Sequence, residues 1–434
     1  MEKIIEKLKN KQKISAREVR ELIRNRKKLP RELFAVLAKR VLEMGENFYA
    51  YDLAENIPDH PPENLLQKIH IMALALARSG SLERASELLE QLPDSDDTEI
   101  VGLKSRILKD MAANTTGQEA RRQLFKQSAR LSLAVFEQKN QYYNGINAAS
   151  CLFMAGENAA AGKLVREKIL PLCRKFDHPG LWEEATLGEC FLLLNECETA
   201  AEHYGKAADI AVNNGLAGSL ASTLKQFYML AAGFPEDRIR QIVQQMHLPA
   251  IGIFSGHMID RPARPEPRFP ACAEAQVRRD LAGIISKRNI RIAFSSCACG
   301  GDIIFMEEVL KAGGECFIVP PLPMKDTIAN SVDIIPGADW KERLFKILEN
   351  KNVSLFEPES DEIGVDDDDI IYDFTNRYIL GLAVSRSEML HFPLRGVTVW
   401  DGKKSGLTGG TDSAVALWQQ KNIPLDTVTP EIEK

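Results

Sequence analysis

The residues best suited to chemistry lie in one short run, Ile290–Leu310, which reads IRIAFSSCACGGDIIFMEEVL. A β-rich stretch, Ile290–Ser296, leads into a turn of small residues ending in Gly300-Gly301, and an apolar-periodic helix begins near Asp302. Glycine lets a backbone come close to a ligand, and the first N–H groups of a helix lack internal partners, so this arrangement can hold an anion. A second turn of the same kind, Gly406–Thr411 (GLTGGT), also stands between a strand-like and a helical run. Two such helix starts facing one crevice is how parallel sheets bind nucleotides.

Four strand ends supply the candidate ligand-binding residues. They are Gly256 and His257 with Arg264 and Arg268 beyond them; Ser295, Ser296, Gly300, Gly301 and Asp302; Pro320; and Gly409, Gly410 and Thr411 after Trp400-Asp401-Gly402. Arg264 and Arg268 can clamp a phosphate bidentately, and Thr411 suits an N-cap or a hydroxyl donor. The catalytic residues, if the chain is an enzyme, are unknown; Asp302, Glu307 and His257 are the candidates for acid–base or nucleophilic work. Plainer readings stand beside these: surface arginines without a ligand, and glutamates near the positive end of a helix dipole.

No metal site is expected. Cys297-x-Cys299 is the only close pair among eight cysteines, and two thiols without a partner pair are half a zinc site. The acidic stretch Glu357–Asp369 (EPESDEIGVDDDD) lacks calcium-loop spacing and reads as a solvated loop before a helix. Trp340 and Arg343 could stack on or pair with a ligand, or belong to the core. His60, His70, His178 and His203 sit among unrelated neighbours and read as surface or packing residues.

The elements that must position these groups fall into two regimes. From residue 250 to the end, strand-like runs (Ala250–Ser255, Ile290–Ser296, Glu315–Val319, Val353–Phe356, Gly396–Trp400, Pro424–Val428) alternate with helical ones (Ala271–Lys287, Asp302–Ala312, Asp339–Asn350, Asp369–Met389, Thr411–Lys421). Such alternation with apolar strands predicts a Rossmann-like parallel sheet covered on both faces. Residues 33–234 read almost wholly as helix, preceded by amphipathic helices over 1–32 and followed by a last helix or linker over 235–249. Helix pairs recur at Leu65–Leu92, Asn144–Leu170 and Trp182–Ile210, with small residues at matching points and turns at Gly80, Gly156 and Glu196. That is the pattern of tetratricopeptide-type repeats, whose stacked pairs offer a concave surface to a partner protein. The spacing is uneven, 76 residues from Ala85 to Ala161 and 40 from Ala161 to Ala201, so the repeats are degenerate or carry insertions.

The totals fit this division. At 434 residues the chain is too long for one ordinary core, and 44% hydrophobic with 27% charged residues is a globular composition. A net charge of −6 argues against a general nucleic-acid binder. No apolar run reaches membrane-spanning length and the start is charged, so a cytoplasmic protein with no membrane partner is expected.

On CACGGDIIFMEE and the later GGT, residues 250–428 resemble the SLOG superfamily, the Rossmann-like domain of cytokinin-activating phosphoribohydrolases, Smf proteins and several ligand sensors. YYNGINAASCLFMAG (Tyr142–Gly156) and WEEATLGECFLLL (Trp182–Leu194) resemble the TRAFs-binding region of apoptosis signal-regulating kinases. Together the resemblances imply a bacterial signalling or conflict protein. One departure bears on activity: the phosphoribohydrolases carry a glutamate three residues after the threonine of their GGxGT motif, and Ala414 stands there. Losing an acid–base carboxylate typically costs about 10²–10⁴-fold in rate, so binding is favoured over hydrolysis. The expected function is a sensor scaffold. Its α/β domain would take a nucleotide-derived ligand, with no certain cofactor, and its repeats would engage a protein partner or a second copy of the chain. A nucleotide N-glycosidase and a pure interaction module are the alternatives.

Overall fold

Alanine and leucine recur at three- and four-residue spacing through the first half of the chain, and there the computed structural model is helical throughout. It describes residues 2–10, 12, 16–92, 97–262, 264–357, 368–404 and 409–431. Two compact units result, one chiefly Glu21–Leu248, the other chiefly Pro249–Glu388 with Phe392–Lys434.

The helical unit follows α1 (Glu2–Lys9) and α2 (Ala16–Arg24) with α3 (Phe34–Glu43), α4 (Asn47–Glu55), α5 (Pro62–Arg78), α6 (Leu82–Glu90), α7 (Thr98–Asn114) and α8 (Gln118–Lys139). Then come α9 (Tyr142–Met154), α10 (Asn158–Leu164), α11 (Leu170–Cys173), α12 (Leu181–Leu193), α13 (Cys197–Asn214), α14 (Ala217–Ala231) and α15 (Glu236–Gln245). Ala73, Ala85, Ala149, Ala161, Ala201 and Ala208 are all buried, as close contact within each pair demands. The uneven spacing has a simple cause. The pair α7–α8 occupies the 76-residue gap, so two repeats of about 38 residues stand there. That pair lacks the repeated signature, because its turn at residues 115–117 holds no left-handed residue and Gly117 there caps α8 with φ −74°; ahead of the pair Asp97 caps α7, its carboxylate accepting from Glu99 N at 2.8 Å and Ile100 N at 3.2 Å. In the pair α12–α13 the left-handed turn residue is Asn195 (φ 63°), one before Glu196, in the place of Gly80 (φ 89°) and Gly156 (φ 83°). Asparagine tolerates that region better than other residues with a Cβ.

The concave face is not left open. α14 packs against α3, α9, α12 and α13. A Cβ on Gly218 would lie 2.4 Å from Gly45 N and 2.6 Å from Leu42 O, so the two glycines allow backbone-to-backbone contact. Nearby, Arg40 Nη2 donates to Asn214 O at 2.9 Å. The array thus curls until its first pair meets the α13–α14 turn.

The second unit is a six-stranded, all-parallel sheet. Its strands are β1 (Ala250–Gly256), β2 (Ile290–Ser295), β3 (Glu315–Ile318), β4 (Val353–Leu355), β5 (Leu394–Val399) and β6 (Leu425–Val428). Between them lie α16 (Glu274–Lys287), α17 (Gly301–Lys311), the short α18 (Met324–Thr327), α19 (Trp340–Glu349), α20 (Asp368–Leu390) and α21 (Thr411–Gln420). The order is β4-β3-β2-β1-β5-β6, so the chain builds outward from β1 on one side and then returns to place β5 on the other. That reversal, at the carboxyl ends of β1 and β5, is where such sheets open a crevice. The core runs through Phe254, whose ring stacks on Phe305 at 4.6 Å, and through Ile303, Ile304 and Val397.

Candidate functional site

Because every strand is parallel and β2 and β5 flank β1, the strands that precede Gly300-Gly301 and Gly409-Gly410 end at the same edge of the sheet. The continuation of β1 stands between them. His257 N donates to Val399 O at 2.9 Å, extending the β1–β5 pairing by one residue. On the other side Ile259 N donates to Cys299 O and Gly301 N to His257 O, each at 3.1 Å. The room that Gly300 and Gly301 create is therefore filled by the chain itself. A Cβ on Gly300 (φ 99°) would lie 2.5 Å from Ile259 N, and one on Gly301 would lie 3.1 Å from the Phe254 ring. The amides of Ala298 and Cys299 are also engaged, by Asp302 Oδ2 at 3.0 Å and Ser331 O at 2.8 Å. This turn binds backbone where the sequence suggested an open anion cradle. The physical reason is that close approach does not specify what approaches.

Asp302 lies beneath that turn. Burial raises its carboxyl to about 7, against the opposing amides of Ala298 and Gly256. Glu307 lies elsewhere, in a cage with Arg343 (2.8 Å) and Arg278 (2.7 Å) that also holds Glu274 and Glu308. Burial would raise Glu307, but the hydrogen bonds and charge of Arg343 and Arg278 outweigh it and hold the carboxyl below its usual value. Arg343 also stacks 3.9 Å over the Trp340 ring, and Trp340 is buried. These two partner each other.

At the reversal, His257 meets Asp401, which the fourth strand end included without giving it a role. Its Nε2 lies 3.1 Å from Asp401 Oδ1 and 3.3 Å from Asp401 N. A carboxylate only accepts, so the shorter contact places the proton on Nε2. Burial pushes His257 below its ordinary value, with Asp401 opposing and Arg268 adding to the shift. For Asp401, burial works to raise the carboxyl, but the Lys403 amide and His257 hold it low. Asp260 closes the loop that carries the arginines, its Oδ2 accepting from Arg268 N and Phe269 N at 2.8 Å each. Among the described residues, Asp401 Oδ2, Asp260 Oδ1 and Arg268 Nε are buried without a hydrogen-bond partner; Arg264 Nε approaches Asp260 Oδ1 at 3.4 Å. Asp401 was detectable only as the first acid past a predicted strand, in TrpAspGly.

The remaining candidates are distributed around this cluster. Arg264 borders a cleft of about 400 Å³ with Asp260, Arg261 and Trp340. Ser295 is buried at the end of β2 and Pro320 just past β3, while Ser296 is half-buried. Gly410 is the N-cap of α21, so Thr411 is its first helical residue where an N-cap was expected. Gly409 O accepts from Asn376 Nδ2 of α20 at 3.0 Å. Gly406 to Thr408 and most of the acidic stretch, 358–367, lie outside the described residues. Among the described residues, no helix is long and apolar enough to cross a membrane.

Comparison with known proteins adds one assignment. Residues 49–152 match the family described as Tetratricopeptide Repeats-Sensor, a span covering α5 to α8 and most of α9. No curated protein matches the chain. Among solved structures, a monoclinic form of Haemophilus influenzae LpoA aligns with 98% of this chain and 76% of its own at 10% identity, with a TM-score of 0.23, too low to carry an argument. The helical unit is thus similar to a repeat family of sensors, and the sheet unit is described by its geometry alone.

Proposed function

We propose that the chain is a cytoplasmic sensor scaffold. The α/β unit binds a nucleotide-derived small molecule, in the manner of the SLOG-type domains it resembles, and the helical unit presents that state to a protein partner or a second copy. The chief support is the cluster at the β1–β5 reversal, where Asp401 Oδ2, Asp260 Oδ1 and Arg268 Nε are buried beside His257 without a hydrogen bond among the described residues. An unsatisfied buried polar atom costs about 1–3 kcal/mol, and a bound polar ligand would recover that loss. The docking role draws on the repeat architecture and on the match over residues 49–152.

Calorimetry on the full chain with ADP-ribose, cyclic nucleotides and nucleoside monophosphates tests the first half. Heat is expected from at least one, with affinity falling about tenfold or more in Arg268→Gln. No heat from any of them, or an affinity indifferent to that change, refutes the ligand reading. Gly301→Val is a poor probe, since its side chain would strike Phe254. N-glycosidase activity is a second reading, favoured only by the near-neutral Asp302. Base release that persists in Asp302→Asn would exclude Asp302 as its acid–base group.

A further inference from the structure

Inside the helical unit, Arg106 and Lys109 on α7 and Lys225 on α14 line one pocket, and Arg78 on α5 stands beside Arg106 and Lys225 in the space adjoining it. Two carboxylates lie among them. Asp110 is held by Lys225 at 2.8 Å and lies 3.9 Å from Arg106, while Glu189 accepts from Ser150 and from Gln226 at 2.6 Å. Lys109, itself buried, donates among the described residues to two neutral amides, Asn147 Oδ1 at 3.1 Å and Gln226 Oε1. Arg78 gives one N–H to Leu42 O at 2.7 Å, and its buried Nε has no partner among the described residues. Burial and the like charge of Arg106 lower Arg78 to about 9. The wall therefore carries more cation than the protein neutralises.

Between α7, α9, α12 and α14 this wall leaves a pocket of about 60 Å³. That space admits a small polar group such as a carboxylate. Tyr143 and Trp182 also line it, edge to face at 6.4 Å, and are 43% and 39% exposed. We propose that the pocket docks an acidic segment of a partner protein, with one Asp or Glu carboxylate entering to meet Arg106, Lys109 and Lys225 while the adjoining residue packs on Tyr143 and Trp182. The inference rests on the reading that the helical unit docks a protein.

The test is fluorescence anisotropy on the full chain with a labelled decapeptide of glutamate and tyrosine, beside the same peptide with glutamine for glutamate. The acidic peptide should bind at least about tenfold more tightly, and added salt should weaken it. Arg106→Gln and Trp182→Ala, both at partly exposed positions, should each weaken binding with an unchanged helical circular-dichroism spectrum; Trp182→Phe should restore it. Glutarate should compete, and inorganic phosphate or AMP should not compete better. Equal binding of both peptides, indifference to Arg106→Gln and Trp182→Ala, or stronger competition by phosphate overturns the proposal. If the acidic peptide fails while photocrosslinking of the full chain still maps a partner onto the helical unit, this pocket assignment falls and the docking reading stands. If neither is seen, both fall.

Discussion

In the helical unit Lys109, Asp110 and Glu189 sit in the middle of their helices, whereas in the α/β unit His257, Asp401 and Arg268 all lie beyond a strand's last residue. The difference follows from backbone geometry. A helix projects side chains all around its axis, so one face can be apolar toward its pair while another carries charge toward the interior. A parallel sheet covered on both faces has no such polar side, and its charged groups collect at strand ends. The helical charges can therefore satisfy one another across neighbouring helices, as Lys109, Gln226, Glu189 and Ser150 do. The strand-end groups have fewer such neighbours, and Asp401 Oδ2 and Arg268 Nε stay without a hydrogen bond among the described residues, as Arg78 Nε does in the helical unit.

Substitutions can break or sharpen this contrast, read by urea denaturation with hydrogen exchange resolved by unit. The largest effect is expected from Gly218→Val, whose Cβ would drive into the backbone of Leu42 and Gly45. A loss of about 4 kcal/mol, confined to the helical unit, is expected; a loss under about 1 kcal/mol would show that the closure is not a stabilising contact. Lys109→Met comes next, at about 3 kcal/mol, because it takes the donor from two amide oxygens, Asn147 Oδ1 and Gln226 Oε1. A neutral result would mean that water already satisfies Gln226 and Asn147.

Gly300→Ala should destabilise the α/β unit by about 2 kcal/mol or more, through positive φ and the contact with Ile259 N. Gly80→Ala, also at positive φ but with open space around it, should cost only about 1 kcal/mol. Equal losses would imply that the fit against Ile259 does not matter. The last effect is a slope. Asp302 titrates near 7 when folded against an ordinary 3.8, so the folded state holds its proton more tightly and stability should fall as pH rises between about 4 and 7. Asp302→Asn should abolish that slope. The lowered His257 has the opposite sign: its contribution is present above about 6.5 and is lost as pH falls below. A wild-type profile indifferent to Asp302→Asn would place the carboxyl in a wetter setting than its burial implies.

Much of the fold was legible because periodicity is local. The six strands lie within two residues of their expected bounds, since each is a short apolar run between glycine, proline or polar breaks. Three helix pairs were marked by small residues and left-handed turns; α7–α8 was not, because its turn has no left-handed residue, Gly117 there having φ −74°. The site was legible only in part. His257 and Arg268 were identified from their position after β1, but Asp401 joins them across 144 positions through the β1–β5 pairing, which no local pattern encodes.

Residue order by itself determined the helical and alternating halves, the strand edges and the placing of glycines 300 and 301 in a turn between strand and helix, since each depends on neighbours within about four positions. Tertiary structure alone decided what those glycines admit, which acid meets His257, and that α14 closes the repeat array against α3. These are contacts between distant segments, fixed by strand order and helix packing, and the same glycine serves a ligand or a passing backbone equally well.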